Sequence, residues 1–284
     1  MKKVVSLILV ALLAITSLVL LVSCGDSKTV DANYFQHLPY LEWFNEENKT
    51  NLVSVGAIHV EPLGLYGGKK KTLDEIDGAT IGIPNDSTNG GRALLLLESN
   101  GYIKLKDGVG VDATVADITE NTHNLKFQEI EAATIPSLLP DLDYAVINSN
   151  FAIGAGLNPT ADSLIIEGSD SAYGNIVAVK AGNENSPKIK ALIAALKSKQ
   201  VKDFINSKYD GSVVSVVDET TDGYDSTVDY EALKGTTITV AASPVPHAEI
   251  LKEAAKILEA KGIKLVIQEY SDYVIPNQVV NDSK

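Results

Sequence analysis

The sequence has little cysteine, methionine or tryptophan, with one of each among its 284 residues. A single cysteine, Cys24, excludes an intrachain disulfide and a metal site built from several thiolates. Histidine is also sparse, and none of the four residues stands at the short spacing typical of a metal-binding motif, so we predict neither a metal site nor a cofactor. These histidines are His37, His59, His123 and His247. Without a Gly-x-Ser-x-Gly motif or a conspicuous carboxylate pair, we predict that the protein is not an enzyme.

Positive charge is in deficit as well. The 24 lysines and arginines stand against 37 aspartates and glutamates, which gives a formal net charge of -13. The longest basic run, residues 69–71, has three lysines. Such a surface repels phosphate backbones, and we therefore exclude nucleic acid as a partner. Apolar residues make up 45% of the chain, which supports a folded core rather than disorder.

The N-terminal segment has the features of an export signal. Two lysines precede an apolar run over residues 4–22 that ends in Leu-Val-Ser-Cys. The run is long for a cleaved signal peptide, so an uncleaved membrane anchor is the alternative. The last four residues resemble the lipobox of bacterial lipoproteins, in which the cysteine is acylated. We predict a signal peptide at 1–23, lipidation of Cys24, a lipidated tether at 24–30, and a location on the extracytoplasmic side of the cell membrane.

From residue 31 onward, short strand-like apolar runs alternate with amphipathic helical stretches, which indicates an α/β fold. For example, residues 143–148 predict a buried strand ending in Asn148. Residues 218–234 interrupt the pattern, and their acidic, polar composition predicts a solvated linker. Beyond them, residues 236–270 predict a strand, a helix and a second strand, and the two strands of such a βαβ unit pair in parallel.

Residues 79–98 form the stretch around which we organise the candidate site. An apolar run ends at Pro84, five polar residues follow, and Gly90-Gly91 precede Arg92 and a run of helix formers. This order predicts a strand, a loop and a helix N-terminus with Arg92 in the first turn. Free N–H groups at a helix start attract an anion, and arginine holds a carboxylate through two parallel hydrogen bonds. The alternative is a Gly-Gly turn with a surface arginine.

Four long motifs carry a resemblance to a known family. They are Asp-Ala-Asn-Tyr-Phe-Gln-His-Leu-Pro-Tyr-Leu from residue 31, His-Val-Glu-Pro-Leu-Gly-Leu-Tyr from 59, Ile-Pro-Asn-Asp-Ser-Thr-Asn-Gly-Gly-Arg from 83, and Pro-Val-Pro-His-Ala-Glu-Ile-Leu from 244. The chain resembles the methionine-binding lipoproteins of ABC importers, the NlpA family. The resemblance implies a two-lobed periplasmic-binding-protein fold of type 2 with a ligand cleft between the lobes. It also implies delivery of L- or D-methionine to an ABC permease and ATPase complex.

The order of the motifs departs from this family, which begins with the segment found here at residues 235–284. Asp-Ser-Lys occurs at 26–28 and again at 282–284, and joining the chain ends would run a helix into a strand without a gap. We infer a circular permutation in which residues 218–234 join the old ends. The predicted first lobe then comprises residues 29–65 and 176–284, and the second lobe comprises residues 66–175.

A free amino acid needs a carboxylate clamp, an ammonium partner and a side-chain pocket. Arg92 is our predicted clamp, and the family motif places its arginine there. Asn148 and Asn175 match the family's asparagines, and an amide can donate to a carboxylate or accept from an ammonium; outside the family each would be a turn asparagine. Glu61 is either an ammonium partner or part of a hinge ion pair. The predicted side-chain wall is Phe35, His37, Tyr40 and Tyr273.

Aromatic faces suit a thioether side chain, with sulfur–ring contacts of about 0.3–1.5 kcal/mol. For Phe35 and Tyr40 the alternative is an ordinary place in the core, and His37 is expected to be a neutral hydrogen-bonding group. Other functions consistent with the sequence are binding of another small amino acid or carboxylate, and a surface lipoprotein that does not transport. An enzyme on the same fold would lack a recognisable nucleophile–base pair.

Overall fold

The chain forms two large mixed β-sheets, a two-stranded sheet and flanking helices in a computed structural model, which describes residues 29–168 and 173–283. The predicted signal peptide and Cys24 lie outside these residues. In chain order the strands are β1 (Ala32–His37), β2 (Leu52–Val60), β3 (Gly64–Gly67), β4 (Thr80–Pro84), β5 (Lys104–Leu105), β6 (Ile118–Glu120), β7 (Lys126–Ile130), β8 (Tyr144–Ile147), β9 (Ser163–Ile166), β10 (Asn175–Lys180), β11 (Val214–Ser215), β12 (Thr237–Ala242) and β13 (Lys264–Glu269).

The α-helices of the described residues lie between these strands and after the last of them. They are α1 (Leu38–Asn48), α2 (Ser87–Ser99), α3 (Ile135–Leu138), α4 (Ser149–Gly154), α5 (Pro159–Asp162), α6 (Pro187–Leu196), α7 (Lys199–Tyr209), α8 (Glu249–Glu259) and α9 (Ile275–Asn281). None of them is long and apolar enough to span a bilayer.

Each of the two large sheets is the centre of one lobe, and β5 pairs with β6 in the small sheet. The first lobe is built on the strand order β11-β2-β10-β1-β12-β13, and the second on β7-β4-β8-β3-β9. Within the first lobe, β12 and β13 pair in parallel around α8, as the βαβ prediction requires. In the second lobe β4 runs parallel to β7 and β8, while β3 pairs antiparallel with β8 and β9. The predicted α/β class and two-lobed architecture are confirmed.

The chain crosses between the sheets where β2 gives way to β3. The apolar stretch at 52–66 therefore forms two strands of different sheets, separated by residues 61–63. A second crossing lies between the end of β9 in one sheet and the start of β10 in the other. The lobe boundaries predicted at 65/66 and 175/176 fall next to these crossings and stay predictions.

The start of α2 differs from the prediction. The helix begins at Ser87, because the Asp86 carboxylate caps it by accepting from the Asn89 N–H at 2.9 Å. Arg92 therefore lies beyond the first turn, and the two glycines lie within the helix rather than before it. A Cβ on Gly91 would come within 2.0 Å of the Val111 carbonyl oxygen. That glycine serves close packing between a helix and a neighbouring loop, not the approach of an anion.

Residues 218–234 remain a predicted linker, but they are not solvated throughout. Val228 and Leu233 are buried in the core of the first lobe, and Tyr224 and Tyr230 pack against it. The sequence showed no apolar period here because the segment contributes single anchors from turns rather than one face of a helix or strand.

Candidate ligand-binding site

The candidate site lies between the lobes, where several chain segments end together. The C-terminal end of β1 pairs with the start of the antiparallel β10, so that His37 lies opposite Asn175. Asn175 in turn lies opposite His59 near the end of β2. From the second lobe, the first turns of α2 and the residues after β8 face the same region.

A cavity occupies this region, with about 350 Å³ of empty space that includes open solvent. The eight residues predicted from the sequence to bind a ligand all line it: Phe35, His37, Tyr40, Glu61, Arg92, Asn148, Asn175 and Tyr273. Sequence reasoning missed four further lining residues, Gln36, Asn89, Ser149 and Asn150. Each of the four adjoins or lies within a motif already singled out, but the backbone path alone decides which neighbours face the cavity.

Arg92 is buried and already paired. Its Nε and Nη2 atoms donate to the two carboxylate oxygens of Glu167 at 2.8 and 2.5 Å, and Nη2 also donates to the Glu61 carbonyl oxygen at 2.9 Å. The guanidinium carbon lies 4.3 Å from the centroid of the Tyr173 ring. The two N–H groups on Nη1 make no hydrogen bond to the described residues. The Nε and Nη2 edge of the guanidinium is therefore bonded to the protein, and the Nη1 edge is available to bind a ligand anion.

Glu167 was not predicted as a site residue. Besides pairing with Arg92, it hydrogen-bonds to the segment that connects the two sheets. Its Oε2 atom accepts from the Leu63 N–H at 2.9 Å, and its own N–H donates to the Leu63 carbonyl at 2.9 Å. No local pattern predicts this partner, since it lies 75 residues from Arg92 in an acidic chain.

A chain of amides fixes the polar wall contributed by the second lobe. The Asn89 Nδ2 donates to Asp86 at 2.9 Å, which turns its Oδ1 toward the cavity. That oxygen accepts from Asn148 Nδ2 at 2.9 Å and lies 3.2 Å from Nε2 of His37. Asn148 Oδ1 is then left buried without a hydrogen-bond partner among the described residues. Buried acceptors are normally hydrogen-bonded, so this orphan acceptor, Asn148 Oδ1, is suited to accept from a donor on a ligand.

His37 is neutral in this arrangement, as expected from the sequence. Its Nδ1 accepts from the Tyr40 N–H at 3.2 Å, so the proton resides on Nε2, which donates to Asn89. Burial lowers the pKa of His37 to about 3, and the nearby Arg92 charge acts in the same direction.

Behind the cavity, Glu61 contacts two histidines that are far apart in sequence. Its Oε1 lies 2.8 Å from Nε2 of His59 and 3.2 Å from Nε2 of His247. Burial raises the pKa of Glu61 and lowers the pKa of each of the two histidines to about 3. His59 and His247, which no short spacing joins in the sequence, are therefore neighbours in space. Among the described residues, the nitrogen and oxygen atoms of these three side chains lie within 4.8 Å of one another, close enough to bind a metal ion together. The Glu61 oxygen already lies at hydrogen-bond distance from a nitrogen of each histidine.

Three aromatic rings form the apolar wall. The centroids of Phe35, Tyr40 and Tyr273 lie 5.9–6.1 Å apart. The Tyr40 hydroxyl donates to the Tyr273 carbonyl oxygen at 3.1 Å, and the Tyr273 hydroxyl donates to Asn150 Oδ1 at 2.8 Å. Burial raises the pKa of Tyr273 far above its ordinary value, so the hydroxyl stays a donor.

The sequence model of the NlpA lipoprotein family matches residues 7–217 and 238–284. The chain belongs to the NlpA lipoprotein family. The match covers both lobes and is interrupted between 217 and 238, a segment that contains the predicted linker.

Individual members of the family align with about two thirds of the chain. The methionine-binding lipoprotein MetQ of Bacillus subtilis is 45% identical over 195 residues, which are 66% of this chain and 71% of that protein. The D-methionine-binding lipoprotein MetQ of Escherichia coli K12 is 42% identical over 195 residues, 68% of this chain and 71% of that protein. A nutrient-binding protein from Burkholderia cenocepacia, solved bound to methionine, is 43% identical with a TM-score of 0.63, covering 66% of this chain and 79% of that one.

Proposed function

We propose that this member of the NlpA family is the substrate-binding lipoprotein of an ABC importer and binds methionine between its lobes. The MetQ relatives carry methionine binding in their names, and one similar structure holds methionine. The single observation that carries the proposal is the orphan Oδ1 of Asn148, which shares its cavity with the free edge of Arg92. An acceptor and a cationic donor in one small enclosure match the ammonium and carboxylate of an amino acid.

The charge balance of the cavity favours a zwitterion. The charge of Arg92 is paired with Glu167. Glu61 lies close to His59 and His247, and burial raises its pKa. A ligand without net charge then enters without leaving an unpaired charge in a region of low dielectric. The Nη1 edge of Arg92 binds the carboxylate, and Asn148 Oδ1 accepts from the ammonium.

The aromatic wall supports methionine over a more polar amino acid. Phe35, Tyr40 and Tyr273 present ring surfaces to which a flexible thioether adapts, through contacts of about 0.3–1.5 kcal/mol. Another small apolar amino acid would use the same polar contacts and is the second candidate. The wall by itself does not select the L or D isomer.

Transport requires a lipid anchor and membrane partners. We propose acylation of Cys24, a position on the extracytoplasmic side of the cell membrane, and recognition of the closed form by an ABC permease with its ATPase. Ligand binding would shift the population toward the closed form, because contacts from both lobes are made only there. The chemistry is binding and release, without turnover of the ligand.

Isothermal titration calorimetry on protein unfolded and refolded to remove bound ligand tests the proposal. We expect L- or D-methionine to bind at micromolar concentration or tighter, with a weaker response to aspartate and lysine, whose extra charge has no partner in the cavity. Binding of another small amino acid in preference to methionine would select the second candidate. Absence of binding by every free amino acid would overturn the proposal. Recovery of intact methionine after incubation checks that no turnover occurs.

We further propose that the chain is a circular permutant of its family. The Val30 N–H donates to Ser283 Oγ at 2.8 Å, so the two ends of the described chain lie side by side. Helix α9 is tied to β1 by Asn277, which donates to Gln36 at 2.9 Å and accepts from Asn33 at 2.8 Å. Alignment with relatives over only two thirds of the chain is the result expected when the order of segments changes.

A variant that keeps residues 1–28 as leader and anchor, continues with 235–284 and ends with 29–217 would restore the order inferred for the family. We expect it to fold and to bind the same ligand with similar affinity. Uptake by cells that carry only this lipoprotein, in either order, separates transport from mere binding. An unfolded reordered chain would contradict the permutation.

A further inference from the structure

His247 lies behind the cavity, and its Nε2 atom faces oxygens of two residues that line the cavity. Nε2 is 3.0 Å from Oδ1 of Asn175 and 3.2 Å from Oε1 of Glu61. The residue is 1% exposed, so solvent does not compete for these contacts. Asn175 Oδ1 is an acceptor, so Nε2 carries the ring proton and donates it to that oxygen. Nδ1, which makes no hydrogen bond to the described residues, is then the unprotonated nitrogen.

This contact decides which way the Asn175 amide points. Oδ1 is held by His247, and Nδ2 makes no hydrogen bond to the described residues. We propose that His247 is a positioning residue: it holds Asn175 with two N–H groups toward the ligand and so gives the cavity its preference for a carboxylate. The inference rests on the function proposed above, since it concerns the same cavity.

A change of ligand chemistry exposes this role. Without a donor behind it, the Asn175 amide can turn by 180° and present its oxygen to the ligand. An oxygen repels a carboxylate but accepts a hydrogen bond from a neutral carboxamide. Methionine and methioninamide differ only in this group and share the ammonium and the thioether. The ratio of their dissociation constants therefore reports the orientation of Asn175.

His59 provides a matched control. Its ring is fully buried, and its Nε2 lies 2.8 Å from the same Glu61 oxygen that His247 contacts. It makes no hydrogen bond to Asn175. Replacing His59 thus removes a buried imidazole and a Glu61 contact without releasing the amide. A purely structural role of His247 would give the same change in binding for both replacements.

Calorimetry with methionine and methioninamide would compare the wild-type protein with His247→Leu, His247→Gln and His59→Leu, each checked for folding by circular dichroism. We expect the wild type to prefer methionine and His247→Leu to lower that preference about tenfold, the effect of one to two hydrogen bonds. His247→Gln keeps an N–H near the Nε2 position and should retain the preference, as should His59→Leu. His247→Asn, whose shorter amide does not reach that position, serves as a second loss variant if the leucine protein does not fold.

An unchanged preference in the folded loss variants, or an equal loss in His59→Leu, would overturn the positioning role while leaving the proposed function intact. Failure of the wild type to bind either compound is a different result, and it would overturn the proposed function together with this inference.

Discussion

The Tyr273 hydroxyl donates to Asn150 Oδ1 at 2.8 Å and thereby joins the first lobe to the second across the edge of the cavity. A ligand cannot enter or leave between the lobes unless such contacts open. We predict that Tyr273→Phe weakens methionine binding about three- to tenfold, the contribution of one buried hydrogen bond, mainly through faster dissociation. Stopped-flow fluorescence would measure both rate constants.

Tyr270→Phe is the control for that experiment, because the Tyr270 hydroxyl donates to Gln268 at 2.8 Å within the first lobe. It should leave both rate constants unchanged. An equal effect of the two substitutions would show that the contact with Asn150 does not hold the lobes together.

For Arg92→Ala we predict at least about a 100-fold loss of methionine affinity, because hydrogen bonds to charged groups are each worth about 1.5–3 kcal/mol. The substitution also leaves Glu167 largely buried without its cation, so the free energy of unfolding should fall by about 1–3 kcal/mol. Adding Glu167→Gln should restore stability but not binding. Calorimetry and urea unfolding measure the two quantities, and undiminished affinity would remove Arg92 from the site.

Asn148→Leu should discriminate between ligands with and without an ammonium group. The substitution removes the orphan acceptor Oδ1, so methionine should bind about tenfold more weakly. The analogue that lacks the amino group, 4-(methylthio)butanoate, should lose much less. Asn148→Asp keeps an acceptor oxygen and is the control. Equal losses for both ligands in the leucine variant would show that Asn148 does not contact the ammonium.

Gly91→Ala should destabilise the protein strongly, by about 3 kcal/mol or more, since the added Cβ would lie 2.0 Å from the Val111 carbonyl oxygen within a close-packed region. Gly154→Ala, also on a helix, places its Cβ in open space and should be neutral or stabilising by up to about 1 kcal/mol. Thermal and urea unfolding would measure both, and an equally stable Gly91→Ala protein would contradict the packing.

Acid should destabilise the protein. Burial lowers the pKa of His37, His59 and His247 to about 3, against about 6.5 in the unfolded chain. Between these values the unfolded state binds more protons, so the free energy of unfolding falls as the pH drops below about 6.5, by up to about 1.4 kcal/mol per pH unit for each histidine. The raised pKa values of Glu61 and Asp86 act in the opposite direction and offset part of the slope.

Urea unfolding at pH 7 and pH 5 measures this dependence, and we expect lower stability at pH 5. His59→Gln cannot take up the corresponding proton when unfolded, so its slope should be smaller by about one proton. A free energy of unfolding that does not change between pH 7 and pH 5 would contradict neutral, buried imidazoles.

The secondary structure and the lining of the cavity were largely predictable because local sequence carries them. Strand β8 is a continuous apolar run, and α8 has apolar residues at helical spacing, so both are clear from the sequence. Motif matching brought eight residues to one cavity, since the ends of β1 and β8 and the start of β10 meet there. The start of α2 was misplaced because Asp86, four residues before the first glycine, caps the helix. The glycine pair is the stronger signal for the helix start in the local pattern.

By itself the sequence determined the α/β order, the family and the kinds of side chain available to a ligand, because these follow from composition, periodicity and contiguous motifs. Only the tertiary structure decided which hydrogen-bond and ion-pair partners those side chains have. In the folded chain Arg92 pairs with Glu167, and His59 and His247 both contact Glu61. The orientation of the Asn175 amide is set by its hydrogen bond to His247. These partners are distant from one another in the chain, and no local sequence pattern predicts which of them meet.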